Sequence, residues 1–426
     1  MPAFEILRVE PPLGEKAISL PQSFYIVSLS SFLFSLTSNI TQPIFVLYAL
    51  ELQASLSQVG FILSVQSFLT ILARIPLTLL AEKIGRFKMF SIAFMIQATA
   101  AVFYAVAPSP MWLYLIPFYQ IIATGSYNQL AMSTASDMAS TTKQGDAIGR
   151  YMTFTTSGLF VGPLITGALI THISYSQLYL ITALFPAIGL LLFMRYIPRK
   201  IGSTRSEDYS TDELQPGTLD AMKIILKNRN VLVLTLIRTT YSMSNTVFTT
   251  IFTVYAVQEL GFTPSHAALL FSVVGFTNAF AKFPAGTLSD RIGAKKVLFA
   301  TFGILILVYL SFPLARSTQL LLPLLMFFGL CWGTRAVTEW ATLANTVSSE
   351  TKTLAMSYLS SIWGLGATLG SLMLGVFGAT LPFSTIFLIL GLVNIPALPA
   401  IHFMRDKYAP SVQSKSRNKR IHITPK

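Results

Sequence analysis

Residues 281–293, Ala-Lys-Phe-Pro-Ala-Gly-Thr-Leu-Ser-Asp-Arg-Ile-Gly, have a degenerate counterpart in residues 73–85, Ala-Arg-Ile-Pro-Leu-Thr-Leu-Leu-Ala-Glu-Lys-Ile-Gly. A base, a proline, a leucine, an acid, a second base, an isoleucine and a glycine occupy the same offsets in both stretches. The offset is 208 residues (281 minus 73). Upstream, Tyr48-Ala49 matches Tyr255-Ala256 at an offset of 207 residues, one fewer. An internal repeat of this length predicts that the chain consists of two equivalent halves.

The composition around these stretches is typical of a membrane protein. The 426 residues are 53% hydrophobic and only 11% charged, with a mean hydropathy of +0.63. Soluble domains carry about 25% charged residues, so this chain has too few ionisable groups to cover a soluble surface. The single cysteine, Cys331, and the four histidines form no disulfide framework and no metal-binding pattern. We therefore expect no metal and no bound cofactor.

Twelve segments are long and apolar enough to span a bilayer, which requires about 20 residues. Short breaks with turn-forming residues, such as Pro108-Ser109-Pro110, separate them. The predicted spans are residues 24–50, 58–81, 88–107, 111–135, 150–171, 177–197, 231–257, 265–288, 295–313, 320–345, 354–378 and 383–404.

The spans fall into two sets of six that are joined by a polar connection. The N-terminal tail contains five charged residues and no apolar core, so we expect no cleavable signal peptide. The predicted units are a tail at 1–23, a six-helix bundle at 24–197, a central loop at 198–229, a second bundle at 230–404 and a basic tail at 405–426.

The distribution of basic residues predicts the orientation of the chain. Lys and Arg near the ends of spans stay on the cytoplasmic side of a membrane. With the N-terminus inside, the basic residues of the connections fall on the cytoplasmic side, with Arg316 as the exception. We therefore expect a cell-membrane protein with both termini in the cytoplasm. The net charge of +13 then reflects topology and contact with anionic lipid headgroups, and we expect no nucleic-acid binding.

The second copy of the repeated stretch resembles a family signature. Gly286 through Lys296 is similar to the loop Gly-x-Leu-Ala-Asp-Arg-x-Gly-Arg-Lys of the major facilitator superfamily. It lies between spans 8 and 9, and its degenerate copy lies between spans 2 and 3, where that family places them. The resemblance implies an all-α membrane fold of two six-helix bundles, related by a pseudo-two-fold axis around a central site.

One group of motif residues is a candidate for conformational control, and a second motif lies in span 5. The acid near the end of span 2 or span 8 can meet a neighbouring helix or Arg150 in one conformation, or it can simply fix the loop. The span-5 motif permits close helix approach and a local bend, and the resemblance links it to antiport. The gate residues are Glu82, Gly85, Arg86, Arg150, Gly286, Asp290, Arg291 and Gly293, and the span-5 motif residues are Gly158, Gly162, Pro163 and Gly167.

Polar side chains at helical spacing mark a candidate cavity. Such residues are costly at lipid depth, where they face a cavity or bind another helix. Spans 1, 4, 7 and 10 each carry a polar stripe, and the resemblance implies that these four spans line the central site. The predicted cavity residues are Asn39, Gln42, Gln120, Asn128, Arg238, Tyr241, Asn245, Trp332 and Arg335.

Glu339 is the candidate for proton coupling. It lies well inside span 10, four residues after Arg335 and on the same helix face. We expect Glu339 to exchange a proton or a partner during transport, with Arg238 and Arg335 binding an anionic group. The alternative is a static buried ion pair. Span 1 contains no acid and span 4 no arginine, so facilitated diffusion is a further alternative.

These features predict a secondary transporter that works by alternating access. The span-5 motif and an aromatic, methionine-containing interior favour proton-coupled export of multiple drugs or other amphipathic compounds. Uptake or exchange of a small organic anion or other metabolite, and a non-transporting membrane sensor, are the alternatives. The chain has no nucleotide-binding loop and no hydrolase motif, so we expect no enzyme activity. The expected partners are a small-molecule substrate and the lipid bilayer, with the chain acting as a monomer.

Overall fold

The computed structural model describes residues 21–138, 144–198, 218–347 and 351–404, and every regular element in these ranges is helical. The predicted tail 405–426, most of tail 1–23 and the first part of the central loop lie outside the described residues. The helices are α1 (Gln22–Thr41), α2 (Phe45–Glu51), α3 (Leu56–Ile84), α4 (Arg86–Ala105), α5 (Pro110–Asp137), α6 (Gln144–Leu169), α7 (Tyr175–Thr182), α8 (Leu184–Tyr196), α9 (Thr218–Lys227), α10 (Arg229–Gln258), α11 (Pro264–Ile292), α12 (Ala294–Ser311), α13 (Thr318–Thr346), α14 (Lys352–Phe377), α15 (Phe383–Asn394) and α16 (Ala397–His402).

These helices build the twelve predicted spans. Span 1 consists of α1 and α2, span 6 of α7 and α8, and span 12 of α15 and α16, each pair meeting at a break. Ten segments of the described chain are long and apolar enough to cross a membrane. The other two spans, α5 and α10, have 28 and 30 residues. They are less apolar because they carry the polar stripes of spans 4 and 7.

The predicted central loop contains a short helix. Helix α9 directly precedes α10, and its residue Ile225 is buried in the core of the second half. This amphipathic helix has ten residues, and a membrane span needs about 20, so hydrophobic length does not indicate it. The described part of the connection is therefore helical and packs on the second half.

The spans form two bundles that meet along two equivalent lines. In the first bundle α1 packs on α6 and α3 packs on α5; in the second, α10 packs on α14 and α11 packs on α13. Between the bundles, α3 packs on α14 and α6 packs on α11. Because span 2 corresponds to span 8 and span 5 to span 11, each interface is the copy of the other. The architecture is two six-helix bundles with pseudo-two-fold symmetry.

The two ends of the bundles differ in charge. The connections after α3, α5, α8, α11 and α13 lie at one end, which includes Arg86, Lys88, Arg291 and Lys296. We call this the basic end. The connections after α2, α4, α6, α10, α12 and α14 lie at the other end, which we call the opposite end.

The repeat is visible in individual hydrogen bonds. The hydroxyl of Tyr48 donates to the carbonyl oxygen of Tyr104 at 2.6 Å, and the hydroxyl of Tyr255 donates to that of Phe312 at 3.2 Å. The donors are 207 residues apart and the acceptors 208 (255 minus 48, 312 minus 104). The same bond therefore ties the first span to the third in each half.

Replacing either tyrosine with phenylalanine is expected to destabilise the protein to a similar extent. Tyr48→Phe and Tyr255→Phe each remove one buried hydrogen bond, which costs about 0.5–1.5 kcal/mol. Thermal melts of the purified variants measure the loss. Tyr25→Phe is the control, because Tyr25 is 40% exposed. Equal melting temperatures for Tyr48→Phe and Tyr25→Phe would contradict the expectation.

Candidate functional site

A cavity of about 290 Å³ lies between the two bundles, toward the opposite end. Span 1 breaks beside it, since α1 ends at Thr41 and α2 begins at Phe45, with Pro43 in the turn between them. Broken spans at membrane depth are typical of transporter binding sites. Twelve lining residues are polar and uncharged, and six are apolar or aromatic: Thr37, Ser38, Thr41, Gln42, Gln66, Ser67, Gln97, Gln120, Thr246, Thr249, Thr250 and Ser371, with Phe45, Val46, Leu63, Ala101, Tyr104 and Tyr179.

The described residues of the cavity wall are uncharged and come from both halves. No Asp, Glu, Lys or Arg side chain lines it in the described part of the chain. The second half contributes Thr246, Thr249, Thr250 and Ser371, and the first half contributes the rest. Among the described residues, no three His, Cys, Asp or Glu side chains come together to hold a metal ion. Any molecule bound in this cavity is therefore held by hydrogen bonds and apolar contacts.

Side-chain amides connect three spans of the first half behind the cavity. Gln120 donates from Nε2 to Oε1 of Gln97 at 3.0 Å, and Gln97 donates from Nε2 to Oγ of Ser38 at 3.2 Å. Gln97 is fully buried, so this chain of bonds fixes the orientation of its members. The side-chain amides of Gln42 and Gln66 form no hydrogen bond with another described residue and remain available to the cavity.

Two of the nine predicted cavity residues, Gln42 and Gln120, line this cavity. Asn39 packs against span 5 instead, and Asn128 is exposed nearer the basic end. Trp332 packs on Phe328 in the core of the second half. The remaining four predicted residues belong to a separate charged cluster in the second half: Arg238, Tyr241, Asn245 and Arg335.

Spans 2, 3 and 11 contribute cavity residues that the polar stripes did not predict. They include Gln66, Gln97 and Ser371. A glutamine inside an apolar span is itself a signal of a polar environment, so Gln66 and Gln97 were detectable as isolated residues. A serine bonds readily to its own helix, so Ser371 gave no comparable signal.

The charged cluster joins α10 to α13. Arg238 donates from Nη1 to Oε2 of Glu339 at 2.9 Å, and Nη1 of Arg335 lies 2.5 Å from the same oxygen. The Glu339 side chain is fully buried, and those of Arg238 and Arg335 are 8% and 2% exposed. Oε1 of Glu339 has no hydrogen-bond partner in the described chain. Two guanidinium groups and one carboxylate leave an excess positive charge in the interior.

Aromatic rings surround this excess charge. Cζ of Arg335 lies 3.8 Å from the ring centre of Tyr241, and Cζ of Arg238 lies 4.6 Å from that of Trp340. Both guanidinium groups also face Trp363, at 5.5 and 5.7 Å. Ring faces carry negative charge density and attract cations, so the three rings stabilise the cluster.

The first half carries a neutral version of the same arrangement. The ring of Tyr127 stacks on Phe34 at 3.8 Å, and its hydroxyl lies 3.0 Å from Oγ of Ser31. Arg335 faces Tyr241 at the same distance in the second half. The repeat offset is 207 residues in α10 and 208 in α13. Arg238 and Tyr241 therefore correspond to Ser31 and Phe34, and Arg335 and Glu339 correspond to Tyr127 and Ala131.

The predicted gate loops turn sharply at the basic end. Gly85 and Gly293 have φ angles of 91° and 93°, a conformation that glycine adopts readily and other residues rarely do. The next residue in the first copy, Arg86, places Nη1 2.7 Å from Oδ2 of Asp137. This ion pair ties α4 to α5 inside the first half.

The other gate residues are described only in part. Arg150, Asp290 and Arg291 are exposed, and Gly286 faces Val337 of α13. The side chain of Glu82 lies outside the described residues. The role of these residues in conformational change stays a prediction.

The span-5 motif brings helices together at backbone distance. A Cβ atom on Gly162 would lie 2.6–2.8 Å from the carbonyl carbon, Cβ and carbonyl oxygen of Asn39 in α1, and one on Gly158 would lie 2.8 Å from Nδ2 of Asn39. A Cβ on Gly167 would lie 2.6 Å from Cγ of Leu269 in α11, across the interface. Pro163 is buried beside Gly162.

Span 11 carries an unpredicted copy of this motif. Its glycines occur 208 residues after those of span 5, and they pack on α10 and α3 as the first set packs on α1 and α11. The motif therefore allows close helix packing in both halves. Its association with antiport stays an implication of the resemblance. The copy consists of Gly366, Gly370 and Gly375.

Comparisons with known proteins agree with this architecture. The family model described as Major Facilitator Superfamily matches residues 27–240 and 234–425. Multidrug resistance protein MdtG of Rahnella sp. (strain Y9602) is 22% identical over 389 residues, covering 90% of this chain and 93% of MdtG. Riboflavin transporter RibZ of Clostridioides difficile (strain 630) is 18% identical over 384 residues, covering 80% and 84%.

The solved structures give the same result for the fold. A crystal structure of a mutant of the nucleoside transporter NupG has a TM-score of 0.76 and 16% identity, covering 89% of this chain and 98% of that chain. The family match includes both six-span halves, and the relatives are transporters. The protein is thus a multi-pass membrane transporter, and the chain belongs to the Major Facilitator Superfamily.

Proposed function

We propose that this protein carries a small molecule across the cell membrane by alternating access, with the cavity between its halves as the binding site. The observation that carries the proposal is the shared wall, because described residues of both halves line one polar cavity and none of them is charged. The halves meet along two equivalent helix pairs. Rocking about these contacts opens the cavity to one end and closes it to the other.

Export in exchange for protons is the proposed direction and coupling. The likeness to the multidrug resistance protein MdtG supports export, because a transporter confers resistance by removing a compound from the cell. The basic end faces the cytoplasm under the positive-inside rule. Glu339 is the proposed proton site, because its carboxylate can accept a proton when Arg238 and Arg335 move away. In this proposal the protein works as a monomer without a metal or bound cofactor.

Uptake or exchange of a small metabolite is the second candidate. The likeness to the riboflavin transporter RibZ and to the structure of the nucleoside transporter NupG supports it. Transport of an organic anion has less support, since Arg238 and Arg335 share Glu339 away from the cavity. A non-transporting sensor would bind ligand without exposing the cavity alternately to the two ends.

Spin-label distances test alternating access without knowledge of the substrate. Exposed, repeat-equivalent residues at the basic end are Lys88 and Lys296, and at the opposite end Val106 and Leu314. Each pair is changed to cysteine in a Cys331→Ser background and measured by double electron–electron resonance in lipid. We expect two populations, in which a longer distance at one end accompanies a shorter one at the other. One fixed distance at both ends would contradict the proposal.

The same labels test proton coupling. Lowering the pH is expected to shift the two populations in the parent protein, and Glu339→Gln is expected to abolish the shift, since glutamine cannot bind the proton. Glu259→Gln is the matched control, because Glu259 is exposed at the end of α10. If the shift persists in Glu339→Gln, Glu339 is not the coupling site.

A further inference from the structure

We infer that the substrate is a compact, uncharged, water-soluble molecule with several hydroxyl or amide groups; the inference rests on the proposed transport function. The cavity wall combines amides, hydroxyls and a small aromatic corner, and its described residues carry no charge. This combination matches a polyol or an uncharged heterocycle better than a lipophilic cation or an organic anion.

The glutamines supply both donors and acceptors. A glutamine side chain has two N–H donors and one carbonyl acceptor. The side-chain amides of Gln42 and Gln66 form no hydrogen bond with other described residues. Gln120 uses one N–H on Gln97, which leaves its second N–H and its carbonyl oxygen. The wall therefore offers three amide groups to one bound molecule. That of Gln120 is held by Gln97, and those of Gln42 and Gln66 are not bonded to another described residue.

Hydroxyl groups of the second half complete the wall. Thr249 and Thr250 donate to the carbonyl oxygen of Thr246 at 3.2 and 2.7 Å, so their hydroxyl oxygens remain as acceptors toward the cavity. Ser371 is buried, and its hydroxyl has no hydrogen-bond partner in the described chain. Buried polar groups are rarely left without a partner. A hydroxyl or amide of the substrate fits this requirement.

The wall discriminates against both charged and apolar molecules. An ion that leaves water for this cavity meets no opposite charge among the described residues to offset its lost hydration. An apolar molecule would displace water from the glutamines and hydroxyls and leave them unpaired, which is also costly. A neutral molecule with its own donors and acceptors avoids both costs.

The aromatic corner and the size of the cavity restrict the substrate further. The rings of Phe45 and Tyr104 meet edge to face at 6.2 Å, and those of Tyr104 and Tyr179 lie 5.1 Å apart. Such a corner packs against the flat face of a sugar or heterocycle. A volume of about 290 Å³ is at the lower limit of small-molecule pockets, which measure roughly 300–1,000 Å³. The substrate is therefore small.

Binding to the purified full-length protein tests this inference. The probes are uridine for a heterocycle with a sugar, D-glucose for a polyol, benzoate for an anion and tetraphenylphosphonium for a lipophilic cation. Thermal stabilisation and calorimetric titration measure their binding. We expect uridine or D-glucose to bind, and the difference between these two distinguishes heterocycle from polyol.

Variants assign the binding to this cavity. Gln42→Leu and Gln120→Leu are expected to weaken binding by roughly tenfold, the effect of one lost hydrogen bond. Gln42→Leu removes no hydrogen bond with another described residue, so folding is retained. Gln22→Leu is the matched control, since Gln22 is exposed at the start of α1.

Three results would overturn the inference. These are binding of benzoate or tetraphenylphosphonium in place of the uncharged probes, binding of none of the four, and equal affinity of an uncharged probe for the parent and both leucine variants. Alternating distances between the spin labels are measured without ligand, so they separate failure of the substrate class from failure of the transport proposal.

Discussion

Glu339→Ala is expected to destabilise the protein by about 3–5 kcal/mol, the usual cost of leaving a buried charge without its partner. The carboxylate of Glu339 contacts both Arg238 and Arg335, and all three side chains are buried. Its removal leaves two like charges facing each other among aromatic rings. Chemical or thermal unfolding in detergent measures the loss. Glu259→Ala serves as the exposed control.

The first half supplies a neutral replacement for the whole cluster. The triple variant Arg238→Ser, Arg335→Tyr, Glu339→Ala introduces the residues found at Ser31, Tyr127 and Ala131. We expect it to recover most of the stability lost in Glu339→Ala, because no unpaired charge remains. A single variant as stable as the parent, or a triple variant no more stable than the single one, would contradict this account.

Gly162→Ala is expected to cost about 1–3 kcal/mol, as overpacking of a tight contact does. The new methyl group would lie 2.6 Å from the carbonyl carbon of Asn39, and backbone cannot move aside as a side chain can. Gly303→Ala is the matched control, because nothing lies within 4 Å of a Cβ atom there. Thermal melts compare the two. Equal stability would show that α1 and α6 separate without cost.

Gly60→Ala applies the same change to the contact between the halves. Its methyl group would lie 2.6 Å from Cα of Gly375 and from the carbonyl carbon of Leu374. This contact belongs to the α3–α14 interface and lies near the opposite end of the molecule. We expect the Val106–Leu314 label distance to shift to longer values, because the new methyl group prevents close approach of the two helices. An unchanged distribution would mean that this contact does not hold the opposite end closed.

The repeat and the twelve spans could be predicted from the sequence because both depend on local patterns. Hydrophobic length defines a span, and residues 73–85 and 281–293 share their offsets directly. Helical spacing also placed Arg335 and Glu339 on one face, where the structure pairs them. The glycine copy in span 11 is visible in the sequence at the same offset.

The position of the cavity along the spans could not be predicted in this way. Spacing identifies the face of a helix, whereas depth depends on where helices part, as at the break beside Gln42. Gln42 and Gln120 line the cavity. Arg238 and Arg335 instead both contact Glu339. That separation arises from contacts between α10 and α13, which no single-helix pattern contains. The functional roles of these residues stay predictions.

The two copied interfaces, α3 on α14 and α6 on α11, have the form of a twofold homodimer joined into one polypeptide. In a true homodimer each substitution appears in both subunits and must suit both. When the two halves belong to one polypeptide, a substitution in one half leaves the other half unchanged. The charged cluster around Glu339, opposite the neutral stack around Tyr127, depends on that freedom. Two identical subunits would carry either two clusters or none.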